Sequence, residues 1–121
     1  MSAGSKPAVL IVDDEPAISR IIGVVINSLG CETITAPTAE DALDKLDDFQ
    51  PNMMFVDVRL PGIDGVEFVD RVRRDERFQH TPVYLMSAFA EPRRHAGDGF
   101  LPKPFDVDQL SDLVERCLDT P

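Results

Sequence analysis

The chain has 121 residues, of which 43% are hydrophobic and 28% charged; that length suits one domain with one core, and that composition argues against disorder. With 12 basic and 22 acidic residues the net charge is −10, which excludes a nucleic-acid face built on counterion displacement and disfavours an anionic membrane. So acidic a surface fits a basic patch on another protein or a cation, unless the excess serves only solubility.

The first stretch, MSAGSKPAVLIVDDEP, holds an apolar run too short for a leader or a membrane span. VLIV at 9–12 is continuously apolar, as for a strand covered on both faces. Ile18, Ile21, Ile22, Val25, Ile26 and Leu29 follow at helical spacing until Gly30 stops the helix. CETIT at 31–35 predicts a second strand, and Ala39, Ala42, Leu43 and Leu46 a second helix that ends before Pro51. MMFV at 53–56 is a third buried run; the loop LPGIDG leads from it to a helix carrying Val66, Val69 and Val72. VYLM at 83–86 and FL at 100–101 predict the last two strands, and Leu110, Leu113, Val114, Cys117 and Leu118 stripe the final helix. Strands alternating with helices predict an α/β fold, a parallel sheet between two helix layers. Cys31 and Cys117 lack any metal-ligand spacing and are expected as buried free thiols in a reducing, cytoplasmic setting.

In such a sheet chemistry collects at the carboxyl ends of the strands. Those ends carry Asp13 and Asp14, then Asp57, Ser87 and Lys103. Each has a plain alternative: an aspartate capping the next helix ahead of Glu15 and Pro16, a turn serine, a surface lysine. Five polar groups converging on one edge outweigh those alternatives taken singly. Carboxylates a few Å apart repel by about 4 kcal/mol per close pair at an effective dielectric near 20, so a cation is expected among them. Hard oxygen ligands suit Mg²⁺ (or Mn²⁺), and the absence of nearby His or Cys argues against zinc. An ionised aspartate beside such an ion can attack phosphorus and form an acyl phosphate, while Lys103 and the Ser87 hydroxyl take developing charge.

LIVDDEP, FVDVRLPGIDG, LMSAF and FLPKPF, in that order, resemble the receiver domain of bacterial two-component response regulators, CheY-like in type. The likeness runs from Val9 to Leu118, with 44 residues from Asp13 to Asp57 and 30 from Asp57 to Ser87. It implies one receiver domain over residues 1–121, core about 8–118, with a doubly wound five-stranded sheet in the order 2-1-3-4-5 and five flanking helices. By the same resemblance Asp57 is the phosphoryl acceptor, and Asp13, Asp14, Asp57 and the backbone carbonyl of Arg59 hold Mg²⁺. Ser87 is the hydroxyl that moves to the phosphoryl group, Lys103 pairs with it, and Phe100 is the aromatic that rotates inward. The Lys103–Pro104 peptide is expected to be cis, and Arg59 and Phe89 occupy positions that tune the acyl-phosphate lifetime. The implied function is Mg²⁺-dependent acceptance of a phosphoryl group from a sensor histidine kinase or histidine phosphotransfer protein, with signalling to a partner or effector. That is signalling rather than enzyme catalysis, beyond the domain's own phosphorylation and dephosphorylation.

The sequence departs from the family at AEPRRHAGDG, residues 90–99. Ser87 and Lys103 lie only 16 positions apart, several residues short of the family's usual interval, and the loss falls on the fourth helix. With Pro92, Gly97 and Gly99 in the segment, one helical turn or an extended loop is expected, with only Ala90 and Ala96 able to face the sheet. The family's usual dimer, through the fourth helix, fifth strand and fifth helix, is therefore expected to be absent. Arg93, Arg94 and His95 form either a small partner contact or a solvated loop. Two other functions compete. One is an unphosphorylated interaction module with the receiver fold. The other is a haloacid-dehalogenase-type phosphatase, which needs a second aspartate two positions after its nucleophile, where this chain has Arg59.

Overall fold

A computed structural model of the chain describes residues 6–118. Its strands are β1 (Ala8–Val12), β2 (Glu32–Ala36), β3 (Met53–Asp57), β4 (Val83–Ser87) and β5 (Gly99–Pro102). They form one parallel sheet in the order β2-β1-β3-β4-β5. Among the described residues four helices flank it: α1 (Pro16–Ser28), α2 (Ala39–Leu46), α3 (Gly65–Arg73) and α4 (Val107–Leu118), with a 3₁₀ turn at Glu76–Phe78.

Successive side chains of a strand point to opposite faces, and so the continuous apolar runs feed two cores. Leu10, Val12, Met54, Val56 and Leu85 face Ala42 and Leu46 of α2 and Phe68, Val69 and Val72 of α3. Val9, Ile11, Met53, Phe55 and Met86 face Ile22 and Ile26 of α1 and Leu110 and Val114 of α4. The helix starts follow local chemistry. Thr38 Oγ1 accepts from Asp41 N (3.0 Å) and Asp64 Oδ1 from Glu67 N (2.9 Å), which caps α2 and α3. At α1 the N-cap is Glu15, with no side-chain cap bond, and Pro16 supplies the fixed φ of the first turn. Neither Asp13 nor Asp14 is spent as its cap residue. Gly30, with φ of 87°, ends α1 in the left-handed region that glycine tolerates.

Three expectations need correction. β2 runs one residue later than expected, since Cys31 is taken up by a bond from its N–H to Ile26 O (3.3 Å) at the end of α1. Cys117 is half-buried rather than buried, its Sγ 4.0 Å from the Tyr84 hydroxyl; both cysteines are free. Ala90 is exposed, so of the two strap alanines only Ala96 packs on the core.

Between β4 and β5 the chain makes no helix at all: residues 88–98 form a strap. Val83 and Leu85 are nevertheless fully buried beneath it. Polar side chains do what helical backbone bonds would have done. Arg73, at the end of α3, donates from Nε to Ala96 O (2.9 Å) and from Nη1 to Phe78 O (2.8 Å) and Thr81 O (2.7 Å). Its Nη2 reaches Asp98 Oδ2 at 2.9 Å. His95 turns inward, where Nδ1 accepts from Gly97 N (3.1 Å) and Nε2 faces Glu91 Oε2 (2.7 Å). Of the basic trio only Arg93 and Arg94 are left exposed.

Candidate functional site

Parallel strands bring their carboxyl ends to one edge, and the five polar groups meet there. Asp57 closes β3 and Ser87 closes β4; Asp13 and Asp14 follow β1, and Lys103 follows β5. Backbone bonds tie these strand ends together. Asp13 N donates to Ala36 O (3.1 Å), Val58 N to Met86 O (2.8 Å) and Lys103 N to Ser87 O (2.8 Å). Gly65 lets α3 start directly against β3, because a Cβ there would collide with the backbone oxygen of Asp57.

Asp13 and Asp57 are 3% and 6% exposed, while Asp14 is open to solvent. One carboxylate oxygen from each of the three lies within 4.8 Å of the others. Lys103 reaches into the group: its Nζ is 2.9 Å from Asp13 Oδ2 and 3.5 Å from both Asp57 Oδ2 and Glu15 Oε1. Burial pushes the Asp57 carboxyl above its ordinary value; Lys103 pulls it down, Asp13 pushes it up, and the net direction is upward. For Lys103 burial acts downward, but the hydrogen bond and charge of Asp13, with Asp57 and Glu15, outweigh it and hold the ammonium above its ordinary value. Two nearly buried carboxylates, a third at the rim and one ammonium leave an excess of negative charge. The donors are all oxygen, without imidazole or thiolate, and the set fits a hard divalent ion that keeps part of its water.

The cluster opens into a cleft of about 300 Å³ lined by Asp14, Glu15, Asp57, Arg59, Ser87 and Lys103, with Ala88 and Phe89 at its rim. Ser87 Oγ accepts from Phe89 N at 3.0 Å. The Arg59 guanidinium lies 4.0 Å over the Phe89 ring, a cation–π pair across the mouth. Phe100 lies apart from this lining, half-buried against the α2 and α3 core. The Lys103–Pro104 peptide is cis. A larger groove of about 470 Å³ between α1 and β2 touches the cluster only at Asp13 and Asp14.

One participant, Glu15, and one contact, between Arg59 and Phe89, escape the sequence. Glu15, beside Asp14, reads there as a first-turn acid of α1, whereas in the structure it is the third carboxylate within 3.5 Å of Lys103. The Arg59–Phe89 stack joins residues 30 positions apart and leaves no local pattern.

The sequence profile of the response regulator receiver domain matches residues 9–115. The chain is 33% identical to Protein PilG of Pseudomonas aeruginosa, covering 88% of this chain and 84% of that one. It is 31% identical to Sporulation initiation phosphotransferase F of Bacillus subtilis, covering 91% and 92%. With Regulatory protein AtoC of Escherichia coli it shares 34% identity but spans only 25% of that protein's length. Among solved structures, chemotaxis response regulator CheY4 of Vibrio cholerae superposes with a TM-score of 0.85 at 27% identity, over 93% of this chain and 99% of that one. The response regulator TrrA of Thermotoga maritima, solved in complex with Mg²⁺–BeF, gives 0.83 at 28% identity, over 92% and 98%.

Proposed function

The chain belongs to the response regulator receiver domain family, and from that premise we propose that it accepts a phosphoryl group on Asp57 from a phosphohistidine donor. The observation that carries this reading is the convergence of Asp13, Asp14 and Asp57 within 4.8 Å, with Lys103 Nζ 2.9 Å from Asp13. Asp57 is the only one of the three carboxylates that ends a strand, and it lines the cleft together with Ser87, which ends the neighbouring β4. In the transfer an Asp57 carboxylate oxygen forms a bond to phosphorus as the donor's N–P bond breaks, and the freed imidazole nitrogen takes its proton from solvent.

Asp13, Asp14, Asp57 and the Arg59 carbonyl would hold Mg²⁺, which when bound neutralises charge on the phosphoryl oxygens. Lys103, whose Nζ is 3.5 Å from Asp57 Oδ2, balances the remaining charge. Ser87 Oγ, accepting from Phe89 N, keeps its own hydrogen to donate to a phosphoryl oxygen. The Mg²⁺–BeF complex of TrrA, whose chain superposes along this one, supports the same use of the cleft. The donor is a sensor histidine kinase or a histidine phosphotransfer protein, and the output passes to a protein effector.

Incubation with a small-molecule phosphodonor and Mg²⁺, followed by intact mass, tests the reading. A single phosphoryl adduct that disappears in Asp57→Asn is the expected result. Absence of any adduct favours an inert interaction module, and sustained turnover of a phosphomonoester favours a phosphatase; either overturns the proposal.

A further inference from the structure

β5 is a four-residue edge strand, and the strap before it lacks the helix that would hold its start. With Leu101 its one buried residue, so short an edge calls for a pin at its start, because a slip by one residue would turn every side chain to the opposite face. A slip would also displace Lys103 along the strand by about 3.3 Å, enough to lose an ion pair now at 2.9 Å.

Asp98 supplies the pin. Its N–H donates to Val83 O at 2.8 Å, and its Oδ2 accepts from Val83 N at 2.8 Å. The side chain thus completes a rung just before the first paired residues of β5 and β4, Gly99 and Tyr84. Asp98 Oδ2 is in turn held by Arg73 Nη2 at 2.9 Å. The same guanidinium holds Thr81 O and Phe78 O just ahead of β4, and Ala96 O in the strap. One planar fork therefore ties the segments leading into β4 and β5 to each other, in a geometry that lysine cannot reproduce.

We propose that Arg73 and Asp98 are positioning residues for the phosphorylation site, a clasp that sets the register of β5 and through it the reach of Lys103. The clasp lies about five strand residues, roughly 16 Å, from Lys103, and touches no reacting atom. Its functional arm rests on the phosphoacceptor reading; its structural arm does not.

The test uses the full chain with Asp98→Asn, which is isosteric, and Arg73→Lys, which keeps the charge. In the metal-free protein, amide exchange at Lys103, whose N–H bonds Ser87 O, should quicken about tenfold or more, while β1 and β3 stay protected. Mg²⁺ affinity should not fall, because Lys103 is no ligand and its ion pairs with Asp13 and Asp57 compete with the cation. Beryllofluoride affinity in Mg²⁺ should fall at least about tenfold, the scale of one charge-assisted hydrogen bond. In a Lys103→Ala background, Asp98→Asn should cost nothing further. Unchanged exchange at Lys103, a parallel loss of Mg²⁺ affinity, or a full additional loss in the Lys103→Ala background would each overturn the clasp. Should the unsubstituted chain take no beryllofluoride in Mg²⁺, the phosphoacceptor reading fails and the exchange result alone decides the clasp.

Discussion

Asp57 sits where ionisation is opposed: burial raises its carboxyl above the ordinary value near 3.8, and Asp13 adds like charge. Lys103 does not cancel this, because its shorter bond is to Asp13, at 2.9 Å against 3.5 Å. The folded metal-free chain therefore binds a proton at Asp57 more tightly than the unfolded chain does, and stability falls as pH rises from about 3.8 through the raised folded value. Above that window the loss is complete and constant. Asp57→Asn removes it without orphaning the ammonium, which keeps Asp13 and Glu15. Thermal melts in chelator at neutral pH should show Asp57→Asn more stable by about 1 kcal/mol or more, the gap closing as pH falls toward 3.8. Mg²⁺ should narrow the same gap by stabilising only the chain that has all three carboxylates.

At the mouth, the Arg59 guanidinium stacks over the exposed Phe89 ring, and on the proposed reading the pair would stand between an acyl phosphate on Asp57 and the water that attacks it. Autodephosphorylation should accordingly be slow; a release half-life of seconds in the unsubstituted chain would contradict this. An exposed cation–π pair is worth about 0.5–1 kcal/mol, so Phe89→Ala and Arg59→Ala should each quicken release about two- to fivefold. Because each removal breaks the same stack, the double substitution should gain little over either single one. Additive effects would mean that the two side chains act separately.

Among the elements, β3 and α3 meet at a junction that leaves no room for a side chain. Gly65 N bonds Val58 O at 2.9 Å, and a Cβ on Gly65 would collide with backbone of Asp57 and Val58. Backbone cannot yield as a flexible side chain does, so Gly65→Ala should destabilise the chain by about 2 kcal/mol or more and slow Asp57 phosphorylation with it. Denaturant melts and the intact-mass assay read the two effects. The strands were legible because VLIV, MMFV and VYLM are apolar on both faces, a pattern set by burial and independent of partner. The site was legible because strand ends carry their residues to one edge whatever the loops do. The strap was legible only as a missing helix. Its form depends on Arg73 reaching Ala96 and Asp98, 23 and 25 positions away, and such side-chain bonds leave no periodicity. Glu15 was hidden for the opposite reason, since an acid ahead of Pro16 already has a local use in starting α1.

At the scale of the whole molecule, loss of the helix changes which surface can meet a second copy. The face that the family uses for dimers consists here of the strap, β5 and α4. Stable interfaces bury about 1,200–2,000 Å² around an apolar core, yet only Phe89 and Val107 among the exposed large hydrophobic residues border this face; Ile21 and Val24 belong to α1. The outward side of α4 presents Asp108, Asp112, Glu115 and Arg116, and the strap presents Glu91, Arg93 and Arg94. β5 offers an edge of only four residues, one of them Pro102, which has no N–H to donate. A net charge of −10 adds repulsion between copies. Phosphorylation at Asp57 would add negative charge in the neighbouring cleft and no apolar surface. Sedimentation of the chain should therefore give a monomer both without and with beryllofluoride and Mg²⁺ at micromolar concentration. A symmetric dimer that forms with beryllofluoride and is broken by charge reversal at Arg93 and Arg94 would show instead that the strap has replaced the helix as an interface, with its arginines set against the acidic side of α4.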